Sequence, residues 1–122
     1  MADVKETINA ILSELRRGTI VIGVLSQLLN EPQYGYSLVP VLKEKGIAID
    51  PGTLYPLLRR LEKQNLLESS WDTNETRPRK YYLLSPFGRE VYNGLCKEWH
   101  MLIKSMDEII GTDEGGEKGG VN

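Results

Sequence analysis

Residues 51–71, PGTLYPLLRRLEKQNLLESSW, followed after a polar interval by residues 79–90, RKYYLLSPFGRE, decide how this chain is read. Asp50, just before Pro51, has the chemistry of a helix N-cap: its carboxylate accepts from backbone N–H groups that the first turn leaves unpaired. A proline at the first helical position gives up only an N–H that would have no partner. The pattern predicts a helix through TLYPLLRRLEKQN. Pro56 lies inside it and predicts local distortion at the Gly52 carbonyl; a start at Thr53, which would bring Pro56 into the tolerant first turn, stays open. On a helical wheel Leu54, Leu57, Leu58 and Leu61 share one face. Gly52, Pro56, Arg59 and Lys63 point the opposite way, flanked by Tyr55 and Arg60.

Downstream, LLESSW (66–71) and RKYYLL (79–84) are short extended runs joined by DTNETRP, the spacing of a β-hairpin. Ser85 and Pro86 then open a long final helix. Within it Leu95, Trp99, Leu102, Met106 and Ile109 step by four, three, four and three, which is a heptad seam. Upstream, Val4, Ile8, Ile11 and Leu15 recur at steps of four, three and four, the narrow stripe of an amphipathic helix. From Thr19 the run TIVIGVLSQLL is apolar on nearly all sides, either continuing that helix or forming a second one, with Gly18 as the hinge. NEPQY (30–34) interrupts the pattern. GYSLVPVLKEKG then reads as a short helix that stops at Gly46 and is limited or kinked by Pro40.

The expected fold class is therefore mainly α with a small β-hairpin wing: a winged helix-turn-helix followed by a long C-terminal helix. Residues 1–84 are expected to form the DNA-binding domain, 85–111 a dimerisation helix and 112–122, glycine-rich and charged, a disordered tail. The basic residues fall where such a module meets double-stranded DNA. Thr53 and Tyr55, near the start of the second helix of the pair, are placed to reach base edges, whereas Arg59, Arg60 and Lys63 suit phosphates. Arg77, Arg79 and Lys80 lie at the tip and second strand of the hairpin, where a wing meets the sugar-phosphate backbone.

The net charge of −2 seems to oppose this reading, because phosphate neutralisation dominates affinity for DNA. The distribution of charge answers the objection: residues 51–90 carry seven Lys/Arg against five Asp/Glu, and the acidity gathers in residues 105–122, with five acids and one lysine. A protein-interaction adaptor that keeps the winged fold without DNA binding is the alternative. One cysteine and one histidine, Cys96 and His100, supply neither a disulfide, a metal site nor the parts of a catalytic site, so no cofactor and no enzyme are expected. No apolar run approaches a membrane span and the first residues lack a signal-peptide pattern, so the expected location is cytoplasmic, with no membrane partner.

At PGTLYPLLRRLEKQNLLESSW and RKYYLLSPFGRE, with RRGTIVIGVL and YGYSLV upstream, the chain resembles the PadR-like transcriptional regulators over roughly residues 16–103. The wing departs from that pattern, reading NETRPRKYY where the family often has a glycine-proline pair. The resemblance implies a dimeric winged-helix repressor and adds Tyr36, on the preceding helix, to the DNA-contacting residues. It also implies the short class, without a larger C-terminal domain, in which both terminal helices build the homodimer. Here the interface would use Ile8, Ile11, Leu15, Leu95, Trp99, Leu102, Met106 and Ile109. In similar proteins a tryptophan in the position of Trp99 faces its twin across a gap that takes flat aromatic compounds. Leu12, Leu15, Thr19 and Ile103 would line that gap, although a tryptophan on a seam also serves as plain core.

Overall fold

A computed structural model describes residues 3–74 and 76–111. The first helix, α1 (Val4–Gln27), is a single rod. It opens on a reciprocal cap: the Asp3 carboxylate accepts from the Glu6 backbone N–H at 2.7 Å, and the Glu6 carboxylate accepts from the Asp3 N–H. Gly18 does not break it. A glycine inside a helix costs about 1 kcal/mol relative to alanine, too little to divide 24 residues that otherwise keep one hydrogen-bond ladder. Of the two readings left open by the apolar run from Thr19, the continuous helix is the one adopted.

After α1 come a two-residue strand β1 (Gln33–Tyr34), helix α2 (Gly35–Glu44) and helix α3 (Pro51–Lys63). α2 continues through Pro40, and the backbone at Gly46, just beyond its end, is left-handed at φ 91°. α3 starts where Asp50 and Pro51 predict: the Asp50 carboxylate accepts from the Thr53 N–H at 2.9 Å, and the helix continues past Pro56. The hairpin follows as β2 (Leu67–Asp72) and β3 (Arg79–Leu84), and then helix α4 (Pro86–Ile110). The sheet has three antiparallel strands in the order β1-β3-β2, with Tyr34 opposite Tyr81 and Trp71 opposite Lys80.

The core is built mainly from leucines: Leu25 and the adjoining Leu28 at the end of α1, with Val24 beside them, Leu38 and Leu42 of α2, Leu54, Leu58 and Leu61 of α3, and Leu67 and Leu84 of the hairpin. Each fully buried leucine contributes on the order of 2 kcal/mol. Leu57, at the edge of the leucine face of α3, is only half-buried. By contrast the apolar stripe of α1 is open, with Val4, Ile8, Ile11 and Leu15 all more than half exposed.

Residues up to Tyr92 pack as one unit, and those from Asn93 form another, so the division falls within α4. In the second unit α4 is regular, with Leu102, Met106 and Ile109 exposed and Leu95 and Trp99 half-buried. The expected tail, 112–122, lies outside the described residues. Among the described residues no helix is long and apolar enough to cross a membrane.

Candidate nucleic-acid interface

The face of α3 turned from the leucine core carries Gly52, Thr53, Pro56, Arg59, Arg60 and Lys63, all exposed. Tyr55 stands at its edge, half-buried, because its ring lies over Gly35 at the start of α2. A Cβ at Gly35 would come within 2.8 Å of the Tyr55 ring, so the absence of a side chain there lets α2 and α3 approach and sets the ring's position.

The wing sends adjacent residues to opposite faces, as the period of a strand requires. Arg79 belongs to the face that carries the tyrosines. Its guanidinium donates to the Tyr36 hydroxyl at 2.7 Å and lies 5.3 Å and 5.4 Å from the Tyr34 and Tyr36 ring centres. The Tyr34 ring is nearly parallel to both Tyr36 and Tyr81, with centroids 5.5 Å and 5.0 Å away. The Tyr34 hydroxyl donates to the Asp72 carboxylate at 2.7 Å, tying β1 to the end of β2. That bond, followed by one from the Asn74 backbone N–H and the charge of Arg79, holds the Asp72 carboxyl below its ordinary range. The same bond raises the Tyr34 phenol. Aromatic rings around a cation attract it through their electron-rich faces and so fix its charge in a defined place.

Lys80 faces the other way. Its ammonium pairs with Glu62 of α3 at 3.2 Å and lies near the Trp71 and Tyr82 rings. Glu62 also accepts from the Ser69 hydroxyl, and these two partners, Ser69 first, keep its carboxyl ionised to lower pH. Of the basic residues that the sequence assigns to the wing, Lys80 is thus held against α3, and a phosphate would have to compete with Glu62 for it.

Tyr36, Tyr55, Arg77, Arg79 and Lys80 line one open cleft of about 370 Å³ between α2, α3 and the wing. Arg59, Arg60 and Lys63 remain on the outer face of α3. The residues named for a ligand gap do not belong to this group: Leu12, Leu15 and Thr19 are on α1, whereas Trp99 and Ile103 are on α4. Sequence reasoning passed over Tyr34, Tyr81 and Asp72, which position Arg79. Tyrosines at 34 and 36 were visible, but β1, which aligns Tyr34 with Tyr81, is too short to leave a periodic signal.

Residues 24–93 match the model of the transcriptional regulator PadR-like family. The chain is similar to the transcriptional regulator Rv3488 of Mycobacterium tuberculosis, 33% identical over 100 residues that cover 82% of this chain and 91% of that protein. Its fold is similar to the crystal structure of a PadR family transcriptional regulator from Eggerthella lenta, with 45% identity, a TM-score of 0.83, and coverage of 88% of this chain and 96% of that one. It is similar also to a PadR-like transcription factor from Bacteroides fragilis, at 33% identity and a TM-score of 0.70 over 82% and 98% of the two chains. With the winged-helix architecture and the cleft already described, these likenesses establish that the chain belongs to the PadR-like family of transcriptional regulators and is a regulator, not an enzyme.

Proposed function

We propose that the protein is a cytoplasmic, homodimeric repressor that places two copies of α3 in successive major grooves of a palindromic operator. The observation that carries this reading is the convergence of Tyr36, Tyr55, Arg77, Arg79 and Lys80 on one cleft beside the exposed basic face of α3. In this reading residues 1–84 bind DNA and residues 85–111 join the protomers. Thr53 and Tyr55 read base edges, Arg59, Arg60 and Lys63 meet phosphates, and the wing delivers Arg77, Arg79 and, in exchange for Glu62, Lys80 to the backbone. The uncovered stripe of α1 and the heptad seam of α4 supply the apolar surface that a second copy would cover.

Binding of the purified protein to DNA from its own promoter region, in moderate salt, tests the reading. Arg79→Ala is expected to weaken operator binding about 10- to 100-fold, the usual worth of a charge-assisted hydrogen bond. Lys80→Ala, which breaks a partly exposed ion pair, should cost less than about fivefold. The absence of any sequence-dependent shift by the wild-type protein would overturn the proposal.

Release by a planar aromatic effector is the regulatory part of this reading. It rests on Trp99, whose indole offers a wide stacking face at low entropic cost, with Leu12, Leu15, Thr19 and Ile103 as further lining. In a Trp71→Phe background, Trp99 is the one remaining tryptophan. Planar aromatics should quench its fluorescence and free the operator; an unquenched signal removes the effector from the reading.

A further inference from the structure

A second open depression, of about 320 Å³, lies between α1 and α3 and is lined by Arg17, Ile20, Thr53, Pro56, Leu57 and Arg60. It borders α3 on the flank away from the wing. At 100° per residue, Tyr55 and Glu62 fall on the flank that meets Gly35 and Lys80, and Thr53, Leu57 and Arg60 fall on the other. Arg59 and Lys63 stand exposed between the two. Two arginines line this depression, and among the described residues neither has a carboxylate in an ion pair, whereas Lys80 on the wing side has Glu62. Like charges gathered beside a helix surface without a counter-charge raise the local potential and favour an anion between them.

We propose that Arg17 of α1 is a further DNA-binding residue: with Arg60 it holds a phosphate of the strand across the major groove from the one the wing meets. The inference rests on the DNA-binding reading above and extends it. α3 is then gripped on both flanks, by the wing on one and by α1 on the other. Arg17 also lies off the apolar stripe, 200° around α1 from Leu15 and 180° from Ile8, so removing its charge leaves Val4, Ile8, Ile11 and Leu15 intact. A hold on a phosphate positions the protein and carries no sequence information.

The test measures affinity of the full chain for its operator and for a scrambled duplex across a range of salt, comparing wild type, Arg17→Ala and Arg17→Lys. Arg17→Ala should weaken both duplexes by the same factor and reduce the slope of log K against log salt by about 0.9 for each phosphate no longer neutralised, whereas Arg17→Lys should keep the slope. Sedimentation should show the same assembly state for all three. Wild-type binding with an unchanged slope in Arg17→Ala overturns the role of Arg17 and leaves the DNA reading standing; a wild type that binds no DNA takes down both. Displacement of the duplex by inorganic phosphate beyond that by chloride at matched ionic strength, abolished in Arg17→Ala, would make this a site for a free anion and overturn the proposal. A change of assembly state in Arg17→Ala would assign the residue to the seam and overturn it equally.

Discussion

In the proposed homodimer, replacing Ile11 or Met106 by glutamate should separate the protomers and abolish tight operator binding. Both side chains are apolar and substantially exposed in the single chain, at 55% and 43%. A carboxylate there is harmless to one protomer and costly only when a second copy covers it. In a two-fold dimer each substitution occurs twice across the interface. Even about 1.5 kcal/mol for each desolvated, unpaired polar group then amounts to about 3 kcal/mol per dimer, more than a hundredfold in the dimerisation constant. Operator affinity should fall by at least as much, since one protomer holds a single half-site. Sedimentation velocity at micromolar concentration checks the assembly, and circular dichroism should show helix content retained. A variant that stays dimeric, with the substituted position still open to solvent, would place the dimer seam elsewhere on the molecule.

Gly88→Ala should lower the melting temperature by about 10 to 20 °C. An added Cβ would lie 2.1 Å from the Leu66 carbonyl oxygen and 3.0 Å from its carbon, and a backbone obstacle cannot rotate away. The surrounding joint is tightly bonded. The Ser85 N–H donates to the Leu66 carbonyl at 3.0 Å, the Ser85 hydroxyl donates to the Asn65 carbonyl at 2.7 Å, and the Gly88 N–H donates to that hydroxyl at 2.8 Å. Moving the first turn of α4 away from Asn65 and Leu66, just before β2, therefore strains the bonds that cross this joint. Overpacking costs typically 1–3 kcal/mol, a clash against backbone lies at the upper end, about 3 kcal/mol, and at roughly 3–6 °C per kcal/mol for a chain of 122 residues this gives about 10 to 20 °C. Gly94→Ala is the internal control: nothing lies within 4 Å of its added Cβ, so it should stabilise α4 by up to about 1 kcal/mol. Thermal melts of the two variants beside wild type decide the matter. A Gly88→Ala melt within a few degrees of wild type would mean that the first turn of α4 is free to slide on the hairpin.

Much of the fold was legible because its signals are local. The Asp50 carboxylate and Pro51 mark the start of α3, and the alternative start at Thr53 loses because the cap bond from Asp50 reaches the Thr53 N–H. The leucine spacing of α3 exposed its basic face in advance, since a helix of 3.6 residues per turn leaves little choice. The hairpin followed from two extended runs and a polar join. Gly18 was harder: a lone glycine marks a weak point, and only the length and continuity of the surrounding helix decide whether the chain bends there.

The candidate site was legible in its residue types and less so in their roles. Arg79 and Lys80 are neighbours in sequence and both basic, yet one is cradled by Tyr34 and Tyr36 and the other is bound to Glu62. Strand alternation requires that they part, but which of them meets α3 depends on the register Trp71↔Lys80 and on how α3 lies against the sheet. Arg17 carries no local signal, because its partner in the depression, Arg60, is 43 positions away.

By itself, then, the sequence determined the helices, the hairpin, and the leucine and basic faces of α3, all consequences of caps, periodicity and turn chemistry acting within a few residues. Only the tertiary structure decided that α1 runs unbroken, that Gln33 and Tyr34 join the sheet, that Tyr34 and Asp72 set the place of Arg79, and that Lys80 belongs to Glu62. Each of these depends on groups 18 to 49 positions apart, or on a ladder longer than any local window. Such pairings form only once the core has fixed the distances between elements.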